Sequence, residues 1–181
     1  MTQSHRCGSI LFQDEGYVRL MSDSLQPLDL FRLDNRVAIV TGASSGLGDR
    51  FARVLHAVGA NVVVTARRAD RLEALAAELN SLRPDSAVVV TADISLEADR
   101  ERIVNDTLAA YGSVDIVVNN VGASPSRNFL YMTDDDWAQL HQLNLMSAVR
   151  CTRRCLPAMR KQGWGRVVMI ATSGAIYPNA A

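Results

Sequence analysis

The chain is 181 residues long with 48% hydrophobic and 21% charged residues, enough to bury the core of one ordinary globular domain. Nineteen basic and nineteen acidic side chains leave no net charge, which excludes the basic excess of a nucleic-acid or membrane-surface binder. The sparse cysteines (Cys7, Cys151, Cys155) and scattered histidines (His5, His56, His141) exclude a disulfide framework and offer no metal cluster, and no apolar run nears the roughly 18–20 residues of a membrane span.

Residues 1–34 read as an N-terminal extension. The first twenty contain Asp14 and Glu15 and no sustained apolar run, so no signal peptide is expected. Met21 opens a more ordinary start, and residues 1–20 are expected to be a flexible extension or an upstream misreading of the start site. A cytoplasmic location follows as the default expectation.

From Arg36 onward the pattern is regular. Val37-Ala38-Ile39-Val40 is a short apolar run, as suits a parallel strand covered on both faces. It ends in a glycine-rich turn. Asp49 to Val58 follows at helical spacing, with Phe51, Val54, Leu55 and Val58 as its apolar positions and Gly59 as its stop. Asn61–Thr65 is the second strand, and 70–82 a helix carrying Leu72, Leu75, Ala76 and Leu79 on one face.

Ala87–Thr91 is the third strand, followed by a helix over 95–111 with Ile103, Val104, Thr107 and Leu108 as its inner stripe. Val114–Val118 is the fourth strand. After a loop over 122–133, a long helix runs from Asp134 to about Lys161, with a kink expected near Pro157. Cys151 and Cys155 share a face of it and are expected to pack inside. Arg166–Ile170 is the fifth strand. Five strands alternating with four helices predict an α/β fold, a doubly wound parallel sheet over residues 35–181, with ligands outside the carboxyl ends of its strands.

The turn after the first strand is Thr41-Gly42-Ala43-Ser44-Ser45-Gly46-Leu47-Gly48, leading straight into a helix. Glycines let the backbone turn tightly and approach a pyrophosphate, whose charge meets amide hydrogens at the helix start. The spacing is not GxGxxG, and no Lys-Ser/Thr follows to make a Walker A loop. A tight turn without a ligand is the plain alternative.

TGxxxGxG after a first strand resembles the short-chain dehydrogenase/reductase family. Further motifs occur in order: Asp93 after the third strand, Asn119-Asn120-Val121-Gly122 after the fourth, Trp137 and Asn144 in the long helix, and Gly165-Arg166-Val167-Val168 opening the fifth strand. The likeness covers residues 36–181 and implies a Rossmann-like nicotinamide-dependent oxidoreductase acting on a small carbonyl or alcohol, whose full-length form is a homo-oligomer. It implies cofactor binding by Gly42, Ser44, Ser45, Gly46, Leu47 and Gly48. Asp93 would accept from the adenine amino group and Ile94 would add a backbone contact. Asn119 would brace the strands and line the ribose, with Val121 and Gly122 beside it; the family usually has Ala where Val121 stands.

Cofactor choice turns on the end of the second strand. An acidic residue there would bind ribose hydroxyls, but the local sequence is Thr65-Ala66-Arg67-Arg68. A guanidinium matches a phosphate in charge and fork geometry, so NADP(H) is favoured over NAD(H), with Arg67 as the main contact. Asn144 falls on the family's relay asparagine and Thr172 on its catalytic serine, Ser173 being next in line; either hydroxyl could donate to a substrate oxygen.

The family's general acid/base is a tyrosine followed four residues later by a lysine that lowers its pKa. The only lysine here is Lys161, preceded four residues earlier by Pro157, and Tyr177 follows Thr172 too closely. The chain is therefore expected to be a fragment, truncated before the Tyr-x-x-x-Lys helix and inactive alone, with its fifth strand as an exposed apolar edge. A non-catalytic NADP-binding regulatory module is the alternative.

Overall fold

The computed structural model describes residues 27–124 and 128–172. The chain divides into two units, Met1–Arg32 and Leu33–Ala181. In the first, Pro27–Phe31 forms a 3-10 turn, after which the Arg32 amide donates to the Asp29 carbonyl at 3.2 Å.

The second unit alternates strand and helix: β1 (Val37–Thr41), α1 (Gly46–Ala57), β2 (Asn61–Ala66), α2 (Ala69–Leu82), β3 (Ala87–Thr91), α3 (Glu97–Tyr111) and β4 (Ile116–Asn119). There follow a 3-10 turn (Phe129–Tyr131), α4 (Asp134–His141), a π turn (Gln142–Met146), α5 (Ser147–Lys161) and β5 (Arg166–Met169). Every described strand pair is parallel, in the order β3-β2-β1-β4-β5. The winding reverses beside β1, whose Ile39 pairs with Val63 on one side and Val117 on the other. Open α/β sheets take their ligands at the carboxyl side of such a reversal.

The β-branched runs are apolar on both faces because both faces are covered. On one, Ala38, Val40, Val62 and Val64 pack with Ala52 of α1 and Leu72, Leu75 and Leu79 of α2. On the other, Ile39, Val63 and Val117 pack with Ile103 and Val104 of α3 and Cys151, Cys155 and Met159 of α5. Both cysteines are free and fully buried, as their shared helix face predicted. Among the described residues no helix is long and apolar enough to cross a membrane, and no group of three or more ligating side chains could hold a metal ion.

Several expectations need correction. Helix α1 begins at Gly46, not Asp49, so two of the turn's glycines belong to its first turn. Its buried residues include Ala52 and His56, whereas Val54 is exposed. On α3, Leu108 lies at the exposed margin and Arg100 is buried in its stead. The long helix departs from α geometry at Gln142–Met146, while Pro157 sits inside α5. Strand β5 is exposed at all four residues, including Val167, Val168 and Met169, as an uncovered apolar edge would be.

At the amino end of the sheet one carboxylate ties three segments together. Asp115 Oδ1 accepts from Arg36 Nη1 (3.0 Å) and Gln162 Nε2 (3.1 Å). Its Oδ2 accepts from the Val37 amide and Ser113 Oγ (both 2.9 Å). The Arg36 guanidinium also lies 3.8 Å over the Trp164 ring, which Arg166 approaches at 4.7 Å. The Asp115→Ala variant should therefore lose about 3 kcal/mol, because it leaves a buried amide and a guanidinium without their acceptor. A urea midpoint close to that of the parent chain would show the carboxylate to be dispensable.

His56 joins α1 to the α2–β3 connection. Its Nε2 lies 2.7 Å from Ser86 Oγ, and Ser86 Oγ donates to the Arg83 carbonyl, which puts the ring proton on Nε2. Burial, and then the Arg83 charge, hold the imidazole pKa below its ordinary 6.5. The unfolded chain takes up this proton first, so the stabilisation is complete above about pH 6.5 and is lost as pH falls through the lower folded value. Urea midpoints measured between pH 7.5 and 5 should fall less steeply for His56→Gln than for the parent chain.

Candidate functional site

The carboxyl ends of β1 and β4 are locked by side chains. Thr41 Oγ1 donates to the Val118 carbonyl at 3.1 Å and accepts from the Asn120 amide at 2.9 Å. Asn120 Nδ2 returns a bond to the Thr41 carbonyl at 3.1 Å. Above this lock the chain turns through Gly42, whose φ of +68° suits glycine. Helix α1 then packs directly on the turn. A Cβ on Gly48 would fall 2.7 Å from Asn120 Nδ2 and inside the contact shell of the Gly42 carbonyl.

A cleft of about 830 Å3 opens over these strand ends. It brings together Gly42, Ser44, Ser45, Arg67, Asp93, Ile94, Val121 and Gly122 from the residues that the sequence singled out. Gly46, Leu47, Gly48, Asn119, Asn144 and Thr172 are not on its lining. Leu47 is 61% exposed on the outside of α1, and Gly48 serves the packing of the helix on the turn. Asn119 is buried, and its Nδ2 donates to Thr152 Oγ1 (3.1 Å) and approaches Met169 Sδ (3.3 Å), so it joins β4 to α5 and β5. Thr172 follows β5 and is exposed; Ser173 lies outside the described residues.

Two arginines stand at one end of the cleft. Both are exposed, but their engagements differ. Arg68 donates from Nε (3.2 Å) and Nη2 (3.0 Å) to Ser44 Oγ, and from Nη2 to Ser45 Oγ at 2.7 Å. The helix N-cap, Ser45, thus makes no cap bond of its own and holds a guanidinium instead. Arg67 has no hydrogen-bond partner among the described residues, yet its charge bears on Asp93.

The Asp93 carboxyl is held below its usual range mainly by bonds from Ser95 Oγ (2.7 Å) and the Ser95 amide (2.9 Å), with a smaller contribution from Arg67. Buried Arg100 supports the same turn from beneath, donating to the Ile94 (2.8 Å) and Ser95 (2.7 Å) carbonyls.

Asn144 sits inside the π turn and grips the loop after β4. Its Oδ1 accepts from the Ala123 amide and its Nδ2 donates to the Ala123 carbonyl, both at 2.8 Å. The carboxamide imitates a strand neighbour, which fixes the backbone next to Gly122.

Residues that the sequence reading passed over are Arg68, Asn120, Gln139 and Gln142, all of which line the cleft. Arg68 adjoins Arg67, the arginine that the sequence favours as the phosphate contact. Asn120 lies in the Asn119-Asn120-Val121-Gly122 motif, where the family resemblance implies a role for Asn119. The two glutamines had no signal beyond their spacing of three on a helix.

The glycines separate by experiment. Gly48→Ala has no room and should cost about 2–3 kcal/mol through displaced backbone. Gly46→Ala meets nothing within 4 Å but keeps a φ of +60°, so it should cost only about 1 kcal/mol. Urea unfolding of both variants checks the order; a larger loss at Gly46 would contradict the packing of α1 on the turn.

Comparison with known proteins supplies the family. The short chain dehydrogenase family matches residues 36–181. Nodulation protein G of Rhizobium sp. (strain N33) is 37% identical over 150 residues, which span 83% of this chain and 60% of that protein. Two solved structures are each 30% identical. One is a 7α-hydroxysteroid dehydrogenase complexed with NADH and 7-oxo glycochenodeoxycholic acid (TM-score 0.80, 86% of this chain and 60% of that one). The other is L-sorbose reductase from Gluconobacter frateurii complexed with NADPH and L-sorbose (TM-score 0.77, 82% and 56%). The chain thus spans about three-fifths of the length of these relatives. With its parallel sheet, its glycine turn and a family match over most of its length, the chain belongs to the short-chain dehydrogenases.

Proposed function

We propose that this chain holds NADP(H) in the cleft at the carboxyl ends of its strands, as the cofactor-binding part of an oxidoreductase acting on a small carbonyl or alcohol. The carrying observation is the pair Arg67 and Arg68 at the end of β2, with Arg68 already fixed on the Ser44 and Ser45 hydroxyls. A phosphate on the adenosine ribose would gain charge-assisted bonds from this corner, and no carboxylate at the end of β2 opposes it. The relatives include a structure with NADH and one with NADPH, so the preference rests on these arginines.

The donors present fit such a cofactor. Gly42 keeps a side chain away from the place where a pyrophosphate would approach the turn, Gly48 lets α1 pack against that turn, and the start of α1 aims its dipole there. When bound, the nicotinamide would supply a hydride to a carbonyl carbon or accept one from an alcohol. Asp93 and Ile94 would hold the adenine end. Asn119 acts as the brace beneath β4 and β5, and Val121 with Gly122 forms the middle of the floor. Gly46 and Leu47 contribute backbone at the helix start.

The Asn144 carboxamide is spent on Ala123, so its share in proton relay falls to the main chain of the π turn. Thr172, with Ser173 beside it, would donate a hydroxyl hydrogen to the substrate oxygen. None of the 181 residues forms the tyrosine–lysine pair, since Lys161 is the single lysine and Pro157 stands four residues before it. The chain as it stands would therefore bind cofactor without steady turnover, which equally suits a binding module that regulates a partner. Exposed Trp137, Leu145 and Leu156 on the long helical segment support pairing with a second copy. The free thiols of Cys151 and Cys155 suit a reducing compartment such as the cytoplasm.

Titration of the purified chain with NADPH and NADH, followed by nicotinamide fluorescence, tests the reading. NADPH should bind at least tenfold more tightly. The double variant Arg67→Ala/Arg68→Ala should lose roughly 10–100-fold for NADPH, the worth of one or two charge-assisted bonds, and leave NADH unchanged. Equal affinities, or an equal loss for both cofactors, would remove the NADP(H) assignment. Sustained oxidation of NADPH with a carbonyl substrate would remove the claim of inactivity.

A further inference from the structure

The turn between β3 and α3 is held from beneath by the helix that follows it. Arg102 Nη2 donates to the Thr91 carbonyl and Asp99 Oδ2 accepts from the Asp93 amide, both at 2.7 Å. Arg100 Nη1 donates to the Ile94 (2.8 Å) and Ser95 (2.7 Å) carbonyls. The helix itself goes uncapped, since Leu96, its N-cap residue, makes no side-chain cap bond. The start of α3 therefore spends its side chains on the preceding turn. Arg100 does so as a buried cation with no carboxylate partner among the described residues, a costly way to supply two donors.

Two groups of the turn are left over, and the same bonds aim them. The Leu96 amide donates to the Asp93 carbonyl at 3.0 Å, which fixes the plane of the Asp93–Ile94 peptide. In a trans peptide the N–H opposes the C=O, so the Ile94 amide points away from the start of α3. That amide has no partner among the described residues, although Ile94 is buried. Buried amides are rarely left unpaired. The Ser95 hydroxyl and amide occupy Asp93 Oδ1, which leaves Oδ2. Asp93 and Ile94 both line the cleft. The turn thus offers an acceptor and a donor on adjacent residues, the complement of the amino group and neighbouring ring nitrogen of adenine.

We infer that Arg100 and Asp99 are positioning residues for the cofactor, which set the Ile94 amide and Asp93 Oδ2 side by side and so make the cleft take adenine over a base of reversed pattern. Asp99 anchors the amide before the pair, and Arg100 anchors the two carbonyls after it. The free donor and acceptor lie between these anchors along the chain, so rotation of either peptide would turn them out of line. Hypoxanthine is the base of reversed pattern, because its ring nitrogen donates and an oxygen replaces the amino group. The inference rests on the NADP(H) reading of the cleft and deepens it, since neither Asp99 nor Arg100 lines the cleft.

The test compares NADP with its deamino form, nicotinamide hypoxanthine dinucleotide phosphate, by titration calorimetry. The parent chain should bind NADP at least about tenfold more tightly, the worth of one hydrogen bond made against one reversed. Arg100→Met, which fills the buried space without a donor, should cut that preference to about twofold by weakening NADP while deamino-NADP affinity stays nearly unchanged. Arg100→Lys, which keeps a donor, should recover part of it. Asp99→Ala lies at a half-buried position and should fall between, so it carries the test if the methionine variant does not fold. Arg154→Ala breaks the ion pairs of α5 with Glu97 and Glu101 of α3 and should keep the full preference. An unchanged preference in Arg100→Met and Asp99→Ala, an equal loss for both ligands, or the same fall in Arg154→Ala would overturn the positioning role and leave the NADP(H) reading standing. Tight NADP binding by the parent chain without preference over the deamino form would do the same. Failure of the parent chain to bind either form would overturn both.

Discussion

The candidate site depends on one junction, the hydrogen-bonded crossing of Thr41 and Asn120 where β1 and β4 end side by side. Three bonds link these two residues and Val118, and all lie in the low-dielectric floor of the cleft. There each bond is stronger, and each missing partner more costly, than in water. The junction holds the turn at Gly42 in place, and Gly48 lets α1 rest on that turn at backbone contact. Lifting α1 by the radius of a methyl group would move Ser44 and Ser45, and with them the guanidinium of Arg68. The position of a flexible surface arginine is thus decided by a buried threonine and two glycines.

Stability and site geometry are served at opposite ends of the sheet. At the amino end, Asp115 collects four donors from β1, the approach to β4 and the α5–β5 connection, and Trp164 is flanked by two guanidinium groups. At the carboxyl end the bonds are spread over several turns and shaped around an opening. Exposed pairs such as Arg154–Glu97 on the helices contribute little by comparison, because solvent screens them and ordering long side chains costs entropy. A base tied at one carboxylate and a rim tied turn by turn keep the cleft open while the sheet stays in register.

Much of this was legible in the sequence because burial on both faces writes strands as unbroken β-branched runs. The bounds of β3 match the reading, and those of the other strands differ by a residue or two. What stayed illegible has physical causes. Glycines discourage a helix in isolation, so the start of α1 was placed after them, whereas packing on the turn requires glycine within its first turn. His56 and Arg100 are polar side chains on inward faces, each satisfied by partners far from it in sequence, and periodicity counts only apolar residues. The π turn arises where Asn144 reaches Ala123, a tertiary bond with no local signature. Of the residues that the sequence singles out, Gly42, Ser44, Ser45, Arg67, Asp93, Ile94, Val121 and Gly122 line the cleft, whereas Gly46, Leu47, Gly48, Asn119, Asn144 and Thr172 do not. Arg68, Asn120, Gln139 and Gln142 were missed because only the fold decides which polar side chains face the cleft.

A chain without net charge can still present a positive cleft. Formal charge cancels over the whole sequence, yet the charged side chains on the cleft lining are Arg67, Arg68 and Asp93, an excess of one positive charge. Buried Arg100 adds a second beneath the Asp93 turn, where it is bonded to carbonyls and not to a carboxylate. The bonds from Ser95, with a smaller contribution from Arg67, hold the Asp93 carboxyl below its usual range, so one acceptor is kept inside an otherwise positive field. Such a field draws an anion toward the arginine corner at long range. A neutral chain and a positive cleft are compatible because the other carboxylates lie outside the cleft lining.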